Sequence, residues 1–217
     1  MDEFKTIYSD FDGTITKKDT VNDFLEEFGD KSRLVYKNLW VNGKISSLEN
    51  TKLQISSVKN VSEKALDKFL AQIELSDGFL EFYEYLVSNG IKLVILSNGF
   101  DMFIKRVLER HGIEDVEIFA NRLTYQNEMF SIDFPFYAPR CELNTGVCKC
   151  SKIQEENFCY IGDGITDFCV AKKARKLYAT KRLRELCEKF SVPHTPFENF
   201  YEVLNHFKND FPSSENY

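Results

Sequence analysis

The chain has 217 residues, 43% hydrophobic and 14% aromatic, with 20 phenylalanines, enough to bury the core of one generous domain or of a core with a small insert. A formal net charge of −6, a pI near 5.3 and the lack of any basic stripe leave nothing for a nucleic-acid backbone to bind. Met1-Asp2-Glu3 runs directly into an apolar segment without the pattern of a leader, and no apolar run approaches the ~18 residues of a membrane span. The expectation is a cytoplasmic protein, without membrane or nucleic-acid partners, whose six cysteines are reduced.

Residues 4–8 form an apolar, aromatic and β-branched run that predicts a buried strand. Asp10 and Asp12 follow it and Gly13 turns the chain. Residues two apart in extended chain face the same side, so both acids are expected at the carboxyl edge of a sheet, where open α/β folds bind ligands. Two such charges need a cation or a shared proton, which makes a metal site the first expectation. Helical spacing then predicts helices over 19–28, 32–41, 46–58 and 62–73, the last with Ser62 as N-cap, and no strand between 15 and about 75. That stretch reads as a helical cap.

From residue 78 strands and helices alternate: helix 78–89, strand 91–96 ending in Ser97-Asn98-Gly99, helix 101–111 and strand 116–120. A hairpin over 123–134 with Asn127-Glu128 at its turn follows, then an irregular loop over 135–146. Helix 149–156, strand 158–161, Gly162-Asp163-Gly164, helix 166–174, strand 177–179 and a mostly helical tail complete the chain, with disorder expected only in the last few residues. The predicted fold is α/β: a Rossmann-like, doubly wound parallel sheet with an all-helical cap inserted after the first strand. Residues 1–14 and 77–217 form the catalytic core and 15–76 the cap.

In a parallel sheet the tips bearing Asp10 and Asp12, Ser97-Asn98-Gly99, and Asp163 with Asp167 share one edge, near Lys149. A few carboxylate oxygens with room for water suit Mg²⁺. A hydroxyl, backbone amides and an ammonium suit a phosphate. Lys152 lies one helical turn from Lys149 and is the alternative lysine. Taken singly, each feature is an ordinary turn or surface residue. Together, Asp10-Phe11-Asp12-Gly13-Thr14, Ser97, Lys149 and Gly162-Asp163-Gly164-Ile165-Thr166-Asp167 resemble, in order and spacing, the four motifs of the haloacid dehalogenase-like phosphatases.

The resemblance implies a Mg²⁺-dependent phosphomonoesterase acting on a small phosphorylated metabolite. Asp10 would be the nucleophile that forms an aspartyl-phosphate, and Asp12 the proton donor and acceptor. Asp10, Asp163 and Asp12, the last through its backbone carbonyl, would hold the metal. Ser97, Asn98 and Lys149 would bind phosphate, matching Lys149 rather than Lys152 to the motif lysine. Thr14, Gly99 and Asp167 would support them, Asp167 by backing the metal site or orienting Lys149.

The cap placed after the first motif resembles that of the phosphoserine-phosphatase-like branch. Two features differ from phosphoserine phosphatases themselves: Asp19 stands where they carry a glutamate, and the segment around Lys52 lacks the arginine that grips a substrate carboxylate. The approach Cys141 to Cys150 and the run Gly162 to Cys169 are similar to the methionine-salvage 2-hydroxy-3-keto-5-methylthiopentenyl-1-phosphate phosphatases and to the phosphocholine and phosphoethanolamine phosphatases. The first is favoured, because a Phe-rich cap suits an apolar tail; an amine substrate would want an anionic group, for which Asp19 is the candidate. Cys141, Cys148 and Cys150 suggest a zinc site only weakly, since no fourth ligand lies near in sequence, and Cys159, Cys169 and Cys187 read as core or tail. Outside enzymes, a regulatory phospho-acceptor module also gathers aspartates and a lysine, although it would need neither a cap nor Asp12.

Overall fold

The chain order of strands and helices closes into one seven-stranded sheet, β4-β3-β2-β1-β5-β6-β7, in a computed structural model that describes residues 4–141 and 143–210. The strands are β1 (Thr6–Ser9), β2 (Lys92–Phe100), β3 (Glu117–Gln126), β4 (Met129–Asp133), β5 (Cys159–Gly162), β6 (Lys176–Ala179) and β7 (Thr195–Pro196). All neighbours run parallel except β3 and β4, which form the expected hairpin. Asn127 and Glu128 carry its turn at φ of 51° and 59°, the doubly left-handed geometry that matches strand twist. β1 lies at the centre, between β2 and β5, so the sheet winds away from it in both directions. The crevice at such a reversal lies beyond the carboxyl ends of the strands. Asp10 stands there.

Four helices separate β1 from the rest: α1 (Thr20–Phe28), α2 (Ser32–Val41), α3 (Ser47–Ser56) and α4 (Glu63–Ala71). Their ends are fixed locally. Asp19 caps α1 and Ser62 caps α4, while Ser46 and Glu49 form a reciprocal capping box at α3, each such cap contributing about 1 kcal/mol. No strand lies between residues 15 and 75; two isolated antiparallel bridges, Thr16 with Leu75 and Gly29 with Val58, tie the unit together. Phe24, Leu25, Ile55, Leu66 and Phe69 form its apolar core, shared with Phe100, Phe103 and Leu123 from the sheet side. The rings of Phe24, Phe69, Phe103 and Phe130 meet edge-on or tilted at 4.9 to 6.1 Å, so these aromatics are core material.

The remaining helices, α5 (Phe79–Ser88), α6 (Asp101–Glu109), α7 (Phe168–Ala171), α8 (Lys181–Lys189) and α9 (Phe200–Asp210), cover the sheet. Two apolar clusters fill the spaces, one around Ile7, Phe82, Ile95 and Phe207, the other around Tyr8, Leu96, Tyr160 and Leu183.

Several predicted elements differ. β2 does not stop at residue 96: Ser97-Asn98-Gly99 continues it irregularly to Phe100, with a register shift against β3. The strand over 116–120 and the first arm of the hairpin are one strand, β3. The helix over 149–156 is only a 3₁₀ turn, Lys149–Lys152, because Glu155 is drawn to the hydroxyls of Thr6 and Tyr8 on β1. The helix over 166–174 begins as a 3₁₀ turn, Ile165–Asp167, tightened by the Asp167 carboxylate, and gives α7 only four residues. β7, a two-residue edge strand, had no signal at all. The disorder expected at the carboxyl terminus lies outside the described residues. Among the described residues no helix is long and apolar enough to cross a membrane.

Candidate active site

Asp10 continues the direction of β1, its N–H donating to the Ile161 carbonyl of β5 at 2.9 Å, before the chain turns. Phe11 is buried in the core and anchors the turn, so Asp10 and Asp12 emerge into the crevice. Gly13 completes the turn at φ of 78°; a Cβ there would lie 2.4 Å from Asp163 Oδ2. The two acids then part. Asp10 Oδ1 accepts the Phe11 N–H at 2.8 Å and lies 2.9 Å from Lys149 Nζ. Among the described residues its Oδ2 takes no hydrogen bond. Asp12 Oδ1 accepts the N–H of Thr20 at 3.1 Å and the Thr20 hydroxyl, and its Oδ2 accepts from Ser97 Oγ at 3.1 Å.

The environments push these carboxyls differently. Burial, then the Asp167 charge, raises Asp10 well above the usual carboxylate range, with Lys149 opposing. Asp12 is pushed up to about 6, first by burial and then by Asp19, while the Thr20 and Ser97 hydrogen bonds favour its charged form. Asp12 thus sits near neutrality, where a proton can be both given and taken.

Lys149, only 1% exposed, reaches Asp10 and Asp167, at 2.9 and 2.6 Å. Burial opposes its charge, but the two carboxylates outweigh that and raise its pKa. Lys152 is elsewhere, over the rings of Phe136 and Phe119. Asp167, fully buried, spends both oxygens on structure. Oδ1 accepts from Lys149 and from the Tyr160 hydroxyl at 2.5 Å; Oδ2 accepts the N–H groups of Gly164 at 2.9 Å and Asp163 at 3.2 Å. It therefore orients Lys149 and shapes the loop that presents Asp163. Burial, then Asp167, raises the Asp163 carboxyl.

Carboxylate oxygens of Asp10, Asp163 and Asp167 lie within 4.8 Å of one another. The Asp12 side chain is not in that group, being held by Thr20 and Ser97. Ser97 Oγ also accepts the Gly99 N–H at 2.8 Å. Asn98 serves the neighbouring loop: its Oδ1 accepts the Val147 N–H at 2.9 Å and its carbonyl accepts from Asn121 Nδ2 at 2.6 Å. Thr14 is buried, its carbonyl accepting from Ser76 Oγ at 2.6 Å. Asp19 caps α1, accepting the Asn22 N–H at 2.9 Å and Asn22 Nδ2 at 2.7 Å.

Three contributors escaped sequence reasoning. Thr20, next to Asp19, looked like an ordinary helix start. Tyr160 looked like strand core. Lys181, on the left-handed side at φ of 45°, donates to the Gly13 carbonyl and lies 3.5 Å from Asp163 Oδ2, a contact across 168 residues with no local signal. Asp10 and Asp163, both raised by burial and by the Asp167 charge, form with Asp167 an all-oxygen cluster whose crowding a hard divalent cation would relieve.

Gly99 permits the closest approach in the site: a Cβ there would fall 2.1 Å from Asp12 Oδ2. Gly99→Ala should therefore displace Asp12 and lower kcat by ~100-fold, the scale of a misplacement near 1 Å, with the thermal midpoint little changed. Steady-state kinetics beside a melting curve checks this; unchanged kcat would show that Asp12 need not stand where it does.

The model of the haloacid dehalogenase-like hydrolase family matches residues 7–172. Over 209 residues the chain is 30% identical to a protein of Bacillus thuringiensis (strain Al Hakam) named 2-hydroxy-3-keto-5-methylthiopentenyl-1-phosphate phosphatase, covering 93% of this chain and 95% of that one. It is 29% identical, with the same coverage, to a protein of that name from Bacillus cereus (strain ATCC 10987 / NRS 248). A substrate-bound phosphoserine phosphatase superposes with a TM-score of 0.67 at 21% identity, covering 95% of this chain and 99% of that one. A HAD family hydrolase from Salmonella enterica serovar Typhi gives 0.72 at 22% identity, covering 92% of this chain and 69% of that one.

Proposed function

Because the chain belongs to the haloacid dehalogenase-like hydrolase family and is a phosphoric monoester hydrolase, we propose that it cleaves its ester by transferring the phosphoryl group to Asp10. The observation that carries this reading is the separation of two neighbouring acids: Asp10 joins Lys149 and the acid cluster, while Asp12 is held apart at about 6. Asp10 Oδ2 attacks phosphorus as the ester bond breaks, and Asp12 delivers its proton to the leaving oxygen. Asp12 then takes a proton from the water that hydrolyses the aspartyl-phosphate. Lys149 and Ser97 contribute a positive charge and a hydroxyl to the phosphoryl oxygens as charge redistributes. Asp167 positions Lys149 and touches no substrate.

Asp10 and Asp163 are the residues that would hold Mg²⁺, with Asp167 behind them and only the backbone carbonyl of Asp12 left to join. When bound, the ion supplies the positive charge that lets an anionic carboxylate meet an anionic phosphate. Residues 15–76 act as a cap whose two ends meet at the isolated Thr16–Leu75 bridge, where it would hinge. Ser76 N–H donates to the Ile15 carbonyl at 2.7 Å and Lys17 N–H to the Glu74 carbonyl at 3.1 Å. Closure over Asp10 and Asp12 would exclude water and select substrate.

For the substrate we favour the type named for the Bacillus relatives, 2-hydroxy-3-keto-5-methylthiopentenyl-1-phosphate, an intermediate of methionine salvage. The commitment of Asp19 to its helix cap supports a tail without a fixed cation. In a panel with phosphoserine, phosphocholine and phosphoethanolamine, kcat/KM should be at least ~10-fold higher for the methylthiopentenyl ester. A preference for phosphoserine or for an amine ester would overturn the substrate and leave the chemistry standing.

A further inference from the structure

β2 and β3 separate beside the crevice. Leu96 pairs with Phe119 and Phe100 with Asn121, so Ser97, Asn98 and Gly99 stand opposite Ala120 alone. Such an irregularity re-aims side chains but takes backbone groups out of the ladder, and a buried carbonyl left there needs another donor. Asn121, 2% exposed, supplies one: its Nδ2 donates to the Asn98 carbonyl at 2.6 Å. We infer that Asn121 is a positioning residue, its single amide fixing both the bulge that presents Ser97 and the loop that delivers Lys149. The inference rests on the reading above, in which Ser97 and Lys149 meet the phosphoryl oxygens.

The link to Ser97 is direct, because Ser97 precedes Asn98 in the bulge. Ser97 Oγ bonds to Asp12 Oδ2 at 3.1 Å and to the Gly99 N–H at 2.8 Å. Neither contact ties the bulge to β3; the Asn121 amide does. The link to Lys149 runs through two contacts. Asn98 Oδ1 accepts the N–H of Val147, two residues before the lysine, at 2.9 Å. Asn121 Oδ1 lies against Gly146, where a Cβ would fall 2.1 Å from it. A carbonyl can only accept, so Nδ2 must face Asn98 and Oδ1 must face Gly146. Lys149 itself stands on a four-residue 3₁₀ turn, and its Nζ must meet Asp10 and Asp167 at 2.9 and 2.6 Å. Its reach therefore depends on how the preceding loop is held.

The junction is kept at a polar cost. Among the described residues neither Asn121 Oδ1 nor Asn98 Nδ2, both buried, has a hydrogen-bond partner. Such orphans are uncommon and persist where the surrounding structure has a use for the strain. Two touching asparagines each spend one end of the amide on the junction and leave the other unpaired, which a purely packing role would not require.

The test measures kcat, KM and inhibition by orthovanadate, a phosphate mimic, on the full chain with Mg²⁺ and para-nitrophenyl phosphate. Asn121→Leu should lower kcat by ~100-fold and weaken vanadate inhibition by at least ~10-fold, while melting shows it folded at the assay temperature. Asn121→Asp discriminates further. As a carboxylate it repels the Asn98 carbonyl; protonated, it donates to it as the amide does. The Asn98 carbonyl and the Gly146 backbone do not titrate, so pH acts there only through the introduced carboxyl. The ratio of its kcat to that of wild type should approach one at pH 5 and fall by ~100-fold at pH 8, whereas the Asn121→Leu ratio stays low throughout. A kcat within ~3-fold of wild type in folded Asn121→Leu, or an Asn121→Asp ratio independent of pH, would overturn the proposal. Should these variants fail to fold, Gly146→Ala decides. Gly146 is not in the left-handed region, so the new methyl acts on the Asn121 amide and the Phe134 ring. Its kcat should fall by at least ~10-fold, and an unchanged value would equally overturn the proposal. Ser97→Ala and Lys149→Met separate the two readings. Full activity in both would mean that phosphate is held elsewhere; losses there beside normal Asn121 variants would remove only the positioning role.

Discussion

Asp10→Asn is expected to lower kcat by at least ~10³-fold while the protein remains folded, because it removes the proposed nucleophile and changes little else. The amide oxygen can still accept from Phe11 N–H and face Lys149, so both Oδ1 contacts have a substitute. The loss should therefore appear in kcat. KM should change far less, since Ser97, Lys149 and the cap are intact. A second readout separates nucleophile from bystander. Borohydride added during turnover should reduce an acyl-phosphate at position 10 and leave homoserine there, detectable by peptide mass, and the asparagine variant should show none. Retained turnover, once deamidation back to aspartate is excluded by mass, would remove Asp10 from the role. Homoserine at position 12 would transfer the role to the neighbouring acid.

Sequence made the two acids after β1 legible because their constraints are local: a strand end, two acids two residues apart, and a glycine at φ of 78°. Asp163 and Asp167 were legible for the same reason, both lying in one strand-to-helix turn. What escaped was every contact decided by chain closure. Lys181 meets Gly13 across the molecule, and Thr20 holds Asp12 only because α1 folds back over the strand tip. The predicted helix after Lys149 failed on a tertiary competitor: its residues have helical propensity, but Glu155 is held by β1 and the turn stops at Lys152. The helices α1 to α4 were placed well because capping residues mark the ends of most of them, whereas the apolar core they share with Phe100 and Phe103 carries no signal in one dimension.

Replacing Lys149 should cost stability as well as activity, and the two losses should separate with pH. In Lys149→Met, Asp10 and Asp167 remain buried beside each other without their cation. Removing one partner of a buried ion pair costs about 3–5 kcal/mol, or a fall in Tm on the order of 10 °C for a chain of this size. In metal-free protein the only relief is protonation. Burial and the Asp167 charge already raise the Asp10 pKa against the opposing influence of Lys149, so removing the lysine raises it further. A carboxyl whose folded pKa exceeds its unfolded value stabilises the fold at low pH, and loses that contribution as pH rises through the folded value. The variant's deficit should therefore be smaller at pH 5 than at pH 8, as measured by melting in EDTA against the wild-type protein. Activity should not recover in parallel, because the protonated Asp10 that rescues the fold is no nucleophile. A deficit that grew toward acid, or a variant as stable as wild type at pH 8, would mean that the lysine is not what offsets the buried Asp10 and Asp167. Full turnover at any pH would mean that phosphate does not need it.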